Sequence, residues 1–109
     1  MKILWVDDEI DLLKPFILFL EERNYSVDTC NNGEDAIEKV VDTKYDLVIL
    51  DEMMPGLDGL STLQEIKRIN NAIPIIMVTK SEEEGLMNKA IASQISDYLI
   101  KPINPSQII

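Results

Sequence analysis

The sequence predicts a doubly wound α/β domain, on two observations: five short apolar runs recur along the chain, and stretches with helical spacing separate them. The runs are Lys2 to Val6, Ser26 to Cys30, Asp46 to Leu50, Pro74 to Thr79 and Asp97 to Ile100. Alternation of strand and helix implies right-handed crossovers and a five-stranded parallel sheet covered on both faces. Burial on both faces explains why Leu47 to Leu50 and Ile75 to Val78 are continuously apolar rather than alternating.

The intervening stretches each carry one apolar stripe on an otherwise polar helix. Leu13, Phe16, Ile17 and Leu20 form the first; Ala36, Ile37, Val40 and Val41 the second; Leu60, Leu63 and Ile66 the third; Met87, Ala90 and Ile91 the fourth. Asp58 can cap the third helix, Ser81 and Glu84 form a capping-box pattern, and Gly33 and Gly59 sit near helix starts. Pro15 falls where the first helix should already be running, so a late start is expected, because proline removes a backbone donor and clashes with the preceding turn. Asn104, Pro105 and Ser106 read as the start of a fifth helix, yet the chain stops at Ile109. The expectation is therefore one domain over residues 1–109, truncated with the fifth helix largely missing and further chain removed.

Composition narrows the function. The formal charge of −10 and the lack of any Lys/Arg cluster work against direct nucleic-acid binding. The stretch from Met1 to Val6 is too short for a signal peptide, since Asp7 and Asp8 follow at once, and no run approaches the length of a membrane span. Cys30, the single cysteine, excludes an internal disulfide and reads as a small buried hydrophobe in a cytoplasmic protein.

In an open parallel sheet, ligands bind outside the carboxyl ends of the strands. The first strand here ends in Asp7, Asp8 and Glu9, the third in Asp51, the fourth in Thr79, and the fifth in Lys101 followed by Pro102. Asp7, Asp8 and Asp51 together carry −3, and Lys101 offsets one charge, leaving −2 in a partly desolvated site. A hard divalent ion would bring the sum to zero, and Mg²⁺ fits because it keeps waters and favours phosphate oxygens. One carboxylate beside such an ion can attack a phosphoryl group and form an acyl phosphate. Asp51, at the end of the most apolar strand, is the natural nucleophile, with Asp7 and Asp8 better placed to hold metal. Thr79 supplies a hydroxyl for a phosphoryl oxygen and Lys101 a point charge. Taken singly, Asp7 and Asp8 could be helix caps, Asp51 a turn residue, and Thr79 and Lys101 unremarkable; independent coincidence at every strand end is a poor explanation of the set.

These residues, with the stretch Asp51-Glu52-Met53-Met54-Pro55-Gly56-Leu57-Asp58-Gly59, resemble the receiver (CheY-like) domain of bacterial two-component response regulators. The resemblance implies a flavodoxin-like sheet of order 2-1-3-4-5, a cytoplasmic location, and a regulatory phosphoacceptor that assists its own phosphorylation and dephosphorylation rather than an enzyme proper. It further implies Mg²⁺ bound by Asp8, Asp51 and the Met53 backbone carbonyl, with Asp7 acting mainly through water, and a cis peptide bond between Lys101 and Pro102. Partners implied are a sensor histidine kinase, a C-terminal output domain, and a second copy through the face formed by the fourth helix, fifth strand and fifth helix. Tyr98 stands where receivers often carry a switch aromatic, while Lys80 replaces the small residue usual after the switch threonine and either contacts the phosphoryl group, restricts access to it or simply points into solvent; Glu52 and Met53 sit where they can tune attack by water, and Glu52 and Lys80 are the candidate tuning residues. The runs Thr79 to Glu84 and Ser96 to Pro102 are similar to PorX-type regulators, whose output is a metal-dependent PglZ domain; a DNA-binding output is the more generic expectation. Other classes are a phosphate-independent interaction module of the same fold, and a Mg²⁺-dependent phosphohydrolase, for which Met53 stands where a second aspartate is required.

Overall fold

Side chains on a strand alternate between its two faces, so a strand apolar throughout needs a partner layer on each side. The computed structural model provides both layers; it describes residues 1–52, 54, 56–79 and 97–100, the last four and Thr79 as strand backbone. The strands are β1 (Lys2–Val6), β2 (Ser26–Cys30), β3 (Leu47–Asp51), β4 (Ile75–Thr79) and β5 (Asp97–Ile100), all parallel in the order β2-β1-β3-β4-β5. That is the expected topology. Each strand falls within one residue of its expected bounds. The third begins at Leu47, and Asp46 just before it accepts a hydrogen bond from the Lys2 amide on its carboxylate at 2.8 Å.

Two cores result. Leu4, Val6, Val48, Leu50, Ile75 and Met77 face α2 (Gly33–Asp42) and α3 (Gly59–Ile69), meeting Ala36, Val40, Leu63 and Ile66. Ile3, Trp5, Ile49, Ile76 and Val78 point the other way and pack with Leu20, Ile17 and Phe16 of α1 (Lys14–Glu21). Cys30 is buried in the first of these cores, and burial pushes its thiol up to about 11, so it behaves as a hydrophobe at neutral pH.

The first helix does start late. Residues Ile10–Leu13 form a 3-10 turn, and α1 opens at Lys14 with Pro15 in its first turn, where the missing N–H has no helical partner to lose. Asn32 caps α2 by accepting from the Asp35 amide, and Asp58 caps α3 by accepting from the Ser61 amide, both at 2.8 Å. One expected core residue is misplaced: Val41 is 63% exposed. It lies about 100° around the helix from Val40, outside the arc that Gly33, Ala36 and Val40 turn toward the sheet. The Ser81–Glu84 capping box, the fourth helical stripe, and the Asn104-Pro105-Ser106 helix start lie outside the described residues. Among the described residues, no helix is long and apolar enough to cross a membrane.

Urea unfolding checks the assignment of faces. Leu63→Ala is expected to cost about 2–5 kcal/mol through transfer and cavity terms, and Val41→Ala to stay within about 0.5 kcal/mol of wild type.

Candidate functional site at the strand ends

The register of the ladder creates the site. Val6 pairs with Leu50, so the next residues, Asp7 just past the end of β1 and Asp51 at the last position of β3, stand side by side. Both are buried at about 1% exposure, whereas Asp8 is exposed. One carboxylate oxygen from each of Asp7, Asp8 and Asp51 lies within 4.8 Å of the other two. Two oxygens on opposite sides of one Mg²⁺ stand about 4.2 Å apart. The upper bound of 4.8 Å is close to that span, so the cluster is compatible with a small hard cation, and its donors are all carboxylate, the chemistry such an ion prefers.

Asp7, Asp51 and Glu52 are fixed by backbone. The Asp7 amide donates to the Cys30 carbonyl at 3.1 Å, extending the contact between the first two strands. The Asp7 Oδ1 accepts from the Glu9 amide at 2.8 Å, and its carbonyl accepts from the Ile10 amide at 3.1 Å, which turns the chain into the 3-10 segment. Asp51 pairs with Val78 across to β4, and the following Glu52 amide donates to the Val78 carbonyl at 2.8 Å. The Glu52 carbonyl accepts from the Gly59 amide at 3.0 Å, closing the base of the loop between β3 and α3. Within this loop Gly56 has φ of 78°, a left-handed conformation that glycine adopts without steric cost.

Of the residues singled out in the sequence, Asp7, Asp8 and Asp51 come together, and Glu52 follows them at 8% exposure. Thr79 ends β4 and Tyr98 lies within β5, in a pairing that sets Thr79 opposite Ile100. Met53, Lys80 and Lys101, with the Lys101-Pro102 bond, lie outside the described residues. The sequence places Gly59 beside the Asp58 cap but does not show why a glycine must open α3: the position lies against the Asp51 and Glu52 backbone. Tyr45 carries no motif signal in the sequence. Its phenol donates to Asp28 at 2.7 Å, and burial together with that carboxylate pushes its pKa up, which marks a structural hydrogen bond apart from the carboxylate cluster.

The model of the response regulator receiver domain family matches residues 3–109. The transcriptional regulatory protein ResD of Bacillus subtilis is 39% identical over 108 residues, covering 99% of this chain and 45% of ResD. The alkaline phosphatase synthesis transcriptional regulatory protein PhoP of the same organism is 35% identical over 109 residues, covering 98% of this chain and 45% of PhoP. The chain thus spans about half the length of these curated relatives. Among solved structures, the response regulator TrrA of Thermotoga maritima, in complex with Mg²⁺-BeF, superposes with a TM-score of 0.85 at 34% identity, covering 98% of this chain and 91% of that one. A two-component response regulator from Clostridium difficile gives 0.88 at 34% identity, covering 99% and 88%.

Like charges held this close should strain the metal-free protein. With a chelator present, Asp51→Asn is expected to unfold at higher urea than wild type, by on the order of 1 kcal/mol. An unchanged or lower midpoint would mean that other interactions of Asp51 outweigh the crowding in the folded chain.

Proposed function

Because the chain belongs to the response regulator receiver domain family, we propose that it is a phosphorylated switch whose acceptor is Asp51. The observation that carries this reading is the buried Asp51 carboxylate at the end of the central strand, within 4.8 Å of Asp7 and Asp8. An Asp51 carboxylate oxygen attacks the phosphorus of a phosphohistidine on a sensor kinase. The new O–P bond forms as the N–P bond breaks, and the electron pair leaves with the imidazole, which takes up a proton.

Asp8, Asp51 and the Met53 carbonyl would hold Mg²⁺, and Asp7, one oxygen of which is already engaged by the Glu9 amide, acts mainly through water. When bound, Mg²⁺ would supply positive charge where the phosphoryl oxygens gather negative charge. The Thr79 hydroxyl and Lys101 ammonium take the remaining oxygens. Phosphorylation replaces one charge at Asp51 by roughly two. Thr79 then moves inward, Tyr98 fills the space, and the face of the fourth helix and fifth strand changes shape for its partners, which include a second copy of the chain through that face and the fifth helix. Receiver domains are regulatory phosphoacceptors, and this one assists both its own phosphorylation and its dephosphorylation, with Glu52 and Lys80 tuning attack by water.

Residues 1–109 act as the receiver of a longer cytoplasmic protein. Its output is DNA-binding, a reading supported by the names of ResD and PhoP as transcriptional regulatory proteins. A PorX-type parent with a PglZ output rests only on the runs Thr79 to Glu84 and Ser96 to Pro102.

Intact-mass measurement after incubation with Mg²⁺ and acetyl phosphate tests the acceptor. Wild type is expected to gain one phosphoryl group and Asp51→Ala none. Equal masses with and without the phosphodonor in wild type would favour a phosphate-independent interaction module instead.

A further inference from the structure

The start of α3 sits directly on the residue proposed as acceptor. A Cβ placed on Gly59 would fall against the Asp51 carbonyl oxygen, 2.6 Å from the Glu52 Cα and 2.9 Å from the Glu52 carbonyl oxygen. Carbon atoms pack at about 3.5–4.0 Å, so any side chain here pushes the Asp51–Glu52 backbone away by roughly 1 Å. That backbone has little room to yield. Asp51 is paired with Val78 in β4, and Glu52 is bonded on both its backbone groups, by its amide to Val78 and by its carbonyl to the Gly59 amide. Gly59 is held in turn by its own helix, which Asp58 caps through the Ser61 amide and which Leu63 and Ile66 bury against the sheet. No other close approach among the described glycines bears on a carboxylate of the cluster; that of Gly33 is to Thr62 and Leu57.

We infer that Gly59 is a positioning residue for the acceptor: lacking a side chain, it lets α3 rest on the Asp51–Glu52 backbone and fixes how far Asp51 stands from Asp7 and Asp8. The inference rests on the reading of the cluster as the Mg²⁺ and phosphoryl site. Asp7 and Asp8 follow β1, which α3 does not push at this point, so a shift of Asp51 changes the spacing between carboxylates rather than moving the site as a whole. The same contact closes the base of the loop between β3 and α3.

Calorimetric titration with Mg²⁺ tests the idea without reading activity. Gly59→Ala is expected to weaken Mg²⁺ binding about tenfold or more, while Ile66→Val, which loosens the same helix in the core, leaves the affinity unchanged. Where Gly59→Ala does not fold, the cap decides: Asp58→Ala is expected to weaken binding by a smaller factor and Asp58→Asn, which keeps the capping oxygen, to restore it. Wild-type affinity in a folded Gly59→Ala, or in Asp58→Ala, would overturn the inference, as would equal losses in Ile66→Val. Absence of Mg²⁺ binding in wild type would overturn both this inference and the site reading beneath it. Mg²⁺ binding that weakens as expected in a protein that never gains phosphoryl would defeat the proposed function and leave the positioning role standing.

Discussion

The closeness of the Asp7 and Asp51 carboxylates is imposed by the sheet and cannot be relaxed without breaking it. Asp7 and Asp51 follow the paired residues Val6 and Leu50 on neighbouring parallel strands. Slipping either strand by one residue would turn its whole apolar set to the wrong face. The two cores hold that register: Leu4, Val6, Val48 and Leu50 are committed to one side, and Ile3, Trp5 and Ile49 to the other. Hydrophobic burial therefore supplies the force that keeps like charges within reach of one another, and a divalent cation is the partner that turns this cost into binding.

The loops at the carboxyl ends finish the arrangement with backbone rather than side-chain contacts. Asp7 takes the Glu9 amide and starts the 3-10 turn that leads into α1. Glu52 is tied to β4 on one side and to the first residue of α3 on the other. A site built this way is stiff where the charges must be placed, and its geometry passes into the helices that flank it. Phosphorylation at Asp51 would act on a strand end that β4 already grips through Val78, one residue before Thr79, which is a short mechanical route to the opposite edge of the sheet.

Much of this was legible in the sequence because the signals are short-range. Continuous apolar runs announced buried strands, Asp58 announced the start of α3, and Pro15 announced the late start of α1. The candidate site was legible through a rule of topology, since acids at two strand ends must meet if those strands are neighbours. What escaped was set by rotation or by distance. Val41 matches the helical period yet turns to solvent, because period alone does not say where the buried arc ends. The 3-10 turn at Ile10–Leu13 depends on the Asp7 side chain reaching the Glu9 amide, a contact with no periodic signature. Gly59 looked like punctuation, and its reason is a close approach to Asp51 and Glu52 that only folded coordinates contain. The Tyr45–Asp28 bond joins residues 17 apart in sequence and was equally invisible.

In the proposed function, carboxylates crowded by the fold accept a phosphoryl group only when a cation balances them. The rate of phosphoryl gain from acetyl phosphate, followed by intact mass across a series of Mg²⁺ concentrations from chelated buffer upward, tests it most directly. The expected result is no gain in chelator and a rate that rises to saturation with Mg²⁺. The same rate with and without the cation would mean that the carboxylates accept phosphate without any ion to balance them.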